Sequence, residues 1–304
     1  MYPYKNLLVP LNLTTTDEAA IRFSSQISLT SKSENAYFIH VKRPSEIPQQ
    51  ILDEYPQLLV PSEEERKQKM QSQVEVGWFE SPDTNVVFQI EAGTPLEVLL
   101  EHIVKKDIDL VVIGRKTEAK DTRRLPINLA RKAPCSVLVV PENSKHTISN
   151  ILVPIDFSEF ALNALEQAVN LAFANNISTI QCVNVFQLPI GYYKTGKSQE
   201  EFQELMKKNA IKDYERFVKK IDLKGVEVNP IFLHHDKPAQ AIQSVVENNK
   251  VDLLVLGTRG RNAGAGLLLG SVTEDIILNT RIPLMAVKKK GTGLSLLEVL
   301  LKHL

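Results

Sequence analysis

Residues 256–273, LGTRGRNAGAGLLLGSVT, hold five glycines, at 257, 260, 264, 266 and 270, between an apolar run and the start of a helical pattern. Glycine lets a backbone take positive φ and lets a ligand approach the amide groups closely. A glycine loop between the C-terminal end of a strand and a helix N-terminus is where an α/β sheet holds phosphate. Gly257 and Gly260 are expected to turn the loop tightly and expose amides, and Gly270 to allow close approach at the helix start. Ser271 and Thr273 supply hydroxyls there, and the helix dipole favours an anion. Arg259 and Arg261 are placed to offset phosphate charge. Asp156, just past the run Ile151–Ile155, would face the same crevice and accept a hydrogen bond from a ribose hydroxyl. Pro154, Ile155 and Val185 would line an apolar slot for the base. The expected chemistry is the holding of a nucleotide.

Competing motifs fail on inspection. No G-x-x-x-x-G-K-[ST] occurs, so a P-loop is unsupported, and the first strand–helix turn has no glycine cluster of the dinucleotide-binding kind. His234-His235-Asp236 invites a metal or acid–base reading. Adjacent residues on an extended segment point to opposite sides, however, and Asp236 before Lys237-Pro238 is better placed to cap the next helix. Cys135 and Cys182 sit inside apolar runs with neither metal-ligand spacing nor disulfide density, which suits a reducing cytoplasm. No clear nucleophile, base pair or metal–carboxylate cluster stands near the loop.

The elements that must position these residues come as a repeat. Lys5-Asn-Leu-Leu-Val-Pro-Leu-Asn-Leu-Thr14 matches Ser149-Asn-Ile-Leu-Val-Pro-Ile-Asp-Phe-Ser158, and Asp109-Leu-Val-Val-Ile-Gly114 matches Asp252-Leu-Leu-Val-Leu-Gly257. The repeat is far longer than a solenoid unit, so the chain is a duplicated domain. In the first half strands are predicted near 6–10, 37–41, 86–90, 110–113 and 137–140, with helices over 17–30, 63–78 and 95–106. Thr94 and Glu97 are spaced as a capping box for the last of these. The second half is predicted to run 151–155, 179–185, 226–231, 252–256 and 283–287, with helices near 159–174, 199–220, 238–248 and 271–280. Continuous Val/Ile/Leu runs between helices imply parallel strands buried on both faces, hence a doubly wound α/β sheet with ligands at the strand C-termini. Domains are expected at 1–143 and 147–291, joined by the polar linker 141–147. Residues 292–304, with leucines at 294, 296, 297, 300, 301 and 304, read as an amphipathic tail covering its own chain or an oligomer contact. Trp78 and Phe79 are expected in core or interface.

The first half lacks the parts assembled above. Asn12 stands at the position of Asp156, no further glycine follows Gly114, and the span Gly114–Pro134 is six residues shorter than Gly257–Pro283. No nucleotide site is expected there. Its basic cluster, Arg115, Lys116, Lys120, Arg123 and Arg124, is interleaved with Glu118 and Asp121 and reads as a solvated loop, with another anion as the alternative.

Gly257-Thr-Arg-Gly260, nine residues, then Gly270-Ser271, set in duplicated halves, resembles the universal stress protein family over residues 5 to about 290. The resemblance implies two five-stranded Rossmann-like domains of the adenine nucleotide α-hydrolase kind, three-layered α/β/α, with ATP, with or without Mg²⁺, held by the second domain only. Carried over position by position, the family's adenosine-contacting set falls on Pro154, Ile155, Asp156, Val185, Leu256, Gly257, Arg259, Gly260, Gly270, Ser271, Val272 and Thr273. It also implies pairing of the two domains through Val137–Val140 and Pro283–Val287, within one chain, with a homodimer as a further possibility.

Lys plus Arg and Asp plus Glu are 36 each, so the formal charge is zero and there is no electrostatic case for a nucleic-acid or membrane-surface partner. The N-terminal MYPYKNLLVPLN is not a secretory signal, and no window approaches a transmembrane length. Three functions follow: a regulatory ATP-binding stress protein, a slow ATPase or nucleotide-transfer enzyme using Asp156 or a histidine as base, or a dimerisation scaffold without nucleotide.

Overall fold

The computed structural model describes residues 4–42, 49–55, 61–79, 83–117, 124–145, 147–261 and 269–292. The expected C-terminal tail from Leu294 and the loop residues Glu118, Lys120, Asp121 and Arg123 lie outside them, as do Gly264 and Gly266.

The first half runs β1 (Asn6–Pro10), α1 (Asp17–Ser31), β2 (Asn35–Lys42), α2 (Gln49–Glu54), α3 (Glu63–Gly77), β3 (Asn85–Ala92), α4 (Pro95–Lys105), β4 (Leu110–Arg115), α5 (Arg124–Lys132) and β5 (Ser136–Pro141). The second runs β6 (Ile151–Pro154), α6 (Glu159–Ala174), β7 (Thr179–Phe186), α7 (Gln199–Val218), β8 (Glu227–His234), α8 (Pro238–Asn248), β9 (Leu253–Gly257), α9 (Ser271–Asn279) and β10 (Leu284–Val287), with a 3-10 turn at Tyr192–Thr195 before α7. The fold is the expected mostly parallel α/β sheet, Rossmann-like in each half.

One compact unit is built mainly from Pro3–Cys135. Its strands lie in the order β3-β2-β1-β4. The other is built mainly from Thr147–Thr292 and takes in Ser136–Val139 of β5. Its order is β10-β9-β6-β7-β8, and β5 runs antiparallel beside β10 with Val137 opposite Ala286 and Val139 opposite Leu284. The inner strands β4, β9 and β10 are buried at every residue, because helices cover both faces. β8 is outermost in its order and tolerates Pro230, which could not donate a ladder bond in a central strand.

In each unit the sheet order reverses beside the first strand. β1 lies between β2 and β4, and β6 lies between β7 and β9. Leu152 pairs with Leu254, so residues leaving β6 and β9 emerge side by side at the C-terminal edge. That crevice is where doubly wound sheets place ligands.

Helix starts follow local chemistry. Ser62 with Glu65 and Ser198 with Glu201 form reciprocal capping boxes on α3 and α7. Two expected caps are not made. Thr94 precedes α4 without a side-chain cap bond, because Pro95 already fixes the first φ and removes one orphan donor. Asp236 does not cap α8, whose first flanking residue is Lys237. The Lys237 N–H is instead taken by His235 Nδ1 at 2.9 Å. Trp78 meets Phe38 edge-on at 5.3 Å, as a core contact should, whereas Phe79 is half exposed.

Candidate functional site

The crevice of the second half is built by four segments. Pro154–Asp156 leaves β6, Val185 lies near the end of β7, Gly257–Arg261 leaves β9, and Gly270–Thr273 opens α9. Thr258 C=O accepts the Gly270 N–H at 2.8 Å, so the long loop closes at its base. Thr273 Oγ1, buried, donates to Gly257 C=O at 2.9 Å and ties α9 to the strand end. Asn184 donates from its buried amide to Ile155 C=O at 2.8 Å, fixing the two strand ends on that side.

Asp156 is the hub of the loop. One carboxylate oxygen accepts from the Ser158 N–H at 3.1 Å and the Ser158 hydroxyl at 2.6 Å. The other accepts from the Arg261 N–H at 2.6 Å, and the Asp156 carbonyl accepts from Arg261 Nε at 3.0 Å. Ser158 in turn accepts the Ala161 N–H as cap of α6. Phe157, between them, takes a left-handed φ of +66°, a costly position for an aromatic residue. The first half repeats that turn at Leu13, φ +59°. There the carboxylate comes from the helix side: buried Asp17 accepts from the Asn12 N–H at 3.1 Å and the Thr14 N–H at 3.0 Å. Burial holds the Asp17 carboxyl above its ordinary range, against the lowering effect of those amides. The two halves thus stabilise one strained turn with carboxylates placed on opposite sides of it, and only the second presents its carboxylate at the strand end.

The glycines differ in what they are for. None of Gly257, Gly260 and Gly270 has positive φ, so the expected conformational freedom is not the reason for any of them. A Cβ on Gly257 would stand 2.7 Å from the Phe160 carbonyl carbon and oxygen. Gly257 is buried in β9 because α6 starts directly over it. Gly114, at the matching place, would put its Cβ 3.0 Å from Thr16 C=O, so this glycine belongs to the fold of both halves. A Cβ on Gly260 would meet Asp156 Oδ2 at 2.8 Å. At Gly270 the nearest atoms would be 3.6–3.8 Å away, ordinary contact, with φ −73° and ψ 146° open to any residue. Gly270 differs from the other two: it stands at the N-cap of α9, where glycine is favoured, and no atom of the described residues crowds its Cβ.

The remaining expected residues are distributed unevenly. Leu256 and Ile155 are core side chains, 3% and 5% exposed, which leaves mainly their backbone at the crevice. Ser271 and Val272 are exposed on the first turn of α9, where amides have no intrahelical partner. Arg259 lies over the Phe160 ring at 5.6 Å and Arg261 over Phe157 at 5.7 Å, so each guanidinium is held against an aromatic face rather than stretched into the loop. Ser158, Asn184 and Asp17 were not singled out by sequence reading. The Asp-x-Ser before a helix in the second half was the available signal for Ser158.

His234 and His235 do not act together: His234 Nδ1 accepts from the Gln203 amide at 2.9 Å, and His235 holds the Lys237 N–H. Among the described residues no group of three or more His, Cys, Asp or Glu is gathered to hold a metal. In the first half, the expectation of a solvated basic loop fails at Arg115, which closes β4 and is 1% exposed, while Arg124 opens α5. His40 fills the role of Asn184, bonding Leu11 C=O through Nδ1 at 2.9 Å, with Arg66 against Nε2 at 3.3 Å. No helix among the described residues is long and apolar enough to cross a membrane.

Comparison with known proteins gives the same duplicated picture. The model of the universal stress protein family matches residues 3–141 and again 147–288. A universal stress protein of Methanocaldococcus jannaschii is 32% identical over 149 residues, 48% of this chain and 86% of its own. The universal stress protein E homolog of Haemophilus influenzae is 24% identical over 309 residues, 94% of this chain and 97% of that one. Among solved structures, a universal stress protein from Archaeoglobus fulgidus superposes with a TM-score of 0.61 at 16% identity, covering 94% of this chain and 99% of its own, a likeness of fold.

Proposed function

Because this chain belongs to the universal stress protein family, as two tandem copies of its domain, we propose that it binds ATP in the second domain and acts as a regulatory binding protein in a stress response. The observation that carries the proposal is Gly270. It is the N-cap of α9, and among the described residues it has neither a positive φ nor a crowded Cβ. A helix start without a side chain lets a phosphate reach the first-turn amides of Ser271, Val272 and Thr273. Among the described residues one Asp156 oxygen accepts from the Arg261 N–H alone, which in this proposal leaves lone pairs for a ribose hydroxyl. Val185 and Pro154, both partly exposed, would flank the adenine in this proposal. Mg²⁺, where it accompanies the triphosphate, would be held chiefly by phosphate oxygens.

The first domain takes no nucleotide in this proposal. Its carboxylate is turned inward as Asp17 to hold the strand-end amides. The sites of the two domains are therefore unequal by construction. Pairing of the domains through β5 and β10 is part of the proposal, supported by their antiparallel register. The burial of Cys135 and Cys182 suits a cytoplasmic location.

Mass analysis of nucleotide co-purifying with the protein tests the reading, with Gly270→Val beside it. Valine suits the backbone angles at 270 but blocks the approach to the α9 amides. Adenine nucleotide carried by the parent and lost from the variant is the expected result. No nucleotide on either, together with no calorimetric ATP binding, leaves the scaffold alternative.

A further inference from the structure

A separate cleft of about 370 Å³ opens beside the start of α6, lined by Phe157, Asp213, Arg216, Phe217, Lys220 and Arg261. Its cations come from three places: Arg216 on α7, Lys220 just past it, and Arg261 from the loop after β9. Its floor is aromatic. Phe157 meets Phe217 edge-on at 5.6 Å, and Phe217 is almost wholly buried. Arg261 lies over the Phe157 ring, anchored through Nε on the Asp156 carbonyl.

The charge pairing in the cleft is loose. Arg216 stands 3.7 Å from Asp213, and Lys220 stands 3.7 Å from Glu159. Charge-assisted hydrogen bonds close to about 2.7–2.9 Å, so neither acid holds its cation at bonding distance. Three cationic side chains line one space, two of them guanidiniums, a set suited to a phosphoryl group. The volume exceeds what a bare oxyanion fills and falls in the range of small-molecule pockets.

We propose that this cleft binds a phosphate monoester whose organic body packs on the exposed part of Phe157 while its phosphoryl group is received by Arg216, Lys220 and Arg261. The proposal does not depend on nucleotide binding at the glycine loop. It uses residues of α7 and the α6 start that have no part in the proposed ATP site, with Arg261 at the boundary.

The test is an NMR titration of the full chain with phenyl phosphate, inorganic phosphate and phenol as separate probes. Arg216→Ala with Lys220→Ala is the loss variant; both side chains are more than half exposed, so the fold is kept. Asp213→Asn is the gain variant, since it removes the opposing charge. Phenyl phosphate is expected to shift the Phe157, Arg216, Lys220 and Arg261 resonances saturably. Its affinity should fall about tenfold in the double variant, roughly 1.4 kcal/mol, and rise several-fold in Asp213→Asn. Inorganic phosphate should bind several-fold more weakly, and phenol should leave those resonances unmoved. Binding at the glycine loop alone would be unaffected by the Arg216 and Lys220 substitutions, and that result overturns the proposal. So does the lack of saturable binding, or inorganic phosphate matching phenyl phosphate.

Discussion

Alanine at Gly257, Gly114 and Gly270 separates glycines that serve the fold from one that serves a ligand. At Gly257 the added methyl would lie 2.7 Å from two backbone atoms of Phe160. Carbon contacts settle near 3.5–4.0 Å, so about 1 Å must be found by moving the α6 N-terminus off β9. That end is held by Ser158, by Asp156 and by the core packing of Ala161, Ala164 and Leu165. Overpacking of this kind costs about 1–3 kcal/mol and occasionally more. Because backbone rather than a rotamer must yield, about 3 kcal/mol is expected for Gly257→Ala. In a domain of this size that lowers its melting temperature by about 6–12 °C. Gly114→Ala, with 3.0 Å to Thr16 C=O, should cost about 1–2 kcal/mol in the first domain. Gly270→Ala should cost no more than about 1 kcal/mol, the difference between glycine and alanine at an N-cap, since its backbone angles are allowed and its Cβ meets only ordinary contacts among the described residues. Denaturant unfolding followed by far-UV circular dichroism reads all three. Gly257→Ala as stable as the parent, or Gly270→Ala as damaging as Gly257→Ala, would refute the steric assignment.

Other substitutions probe the remaining ties. Thr273→Val removes the buried hydroxyl bond to Gly257 C=O and should cost about 1–2 kcal/mol in thermal unfolding of the second domain. Asp156→Ala should free the Arg261 N–H, and faster amide exchange at Arg261 without loss of the α6 core would register it. Asp17 carries a pH dependence. Its folded pKa is raised above the ordinary 3.8 by burial, so the folded chain holds the proton more tightly than the unfolded one. That contribution is complete below 3.8 and is lost as pH rises through the raised value. Asp17→Asn should therefore flatten the fall in stability across that window, seen in melting temperatures measured at stepped pH. Tyr214 is pushed up to about 12 by burial, with its hydroxyl on Val228 C=O. Its phenolate absorbance should therefore appear only at strongly alkaline pH.

Much of the fold was legible because its signals are local and repeated. Runs such as Leu110–Ile113 and Leu253–Leu256 can only be buried parallel strands, and the match of Lys5–Thr14 to Ser149–Ser158 fixed the duplication. What sequence could not supply was the reason behind a letter. Gly257, Gly260 and Gly270 look alike in a motif, yet one clears Phe160, one clears Asp156 and one is crowded by none of the described residues. The exchange of Asp156 for Asp17 was also invisible. Aligning Asn12 with Asp156 shows a lost carboxylate, but only the turn geometry shows another carboxylate, three residues beyond Thr14, brought to the Thr14 amide, the counterpart of the Ser158 amide. The caps expected at Thr94 and Asp236 failed for a related reason. A capping residue type is necessary, but Pro95 and His235 supply cheaper local solutions. α2, α5 and the 3-10 turn at Tyr192–Thr195 carry too short a periodic signal to have been read.

The inequality of the two domains is the central claim, and calorimetric titration of the full chain with ATP tests it most directly. One ATP bound per chain, with binding abolished in folded Gly270→Val, is the predicted result. Two ATP per chain, or binding that survives Gly270→Val, would contradict the account.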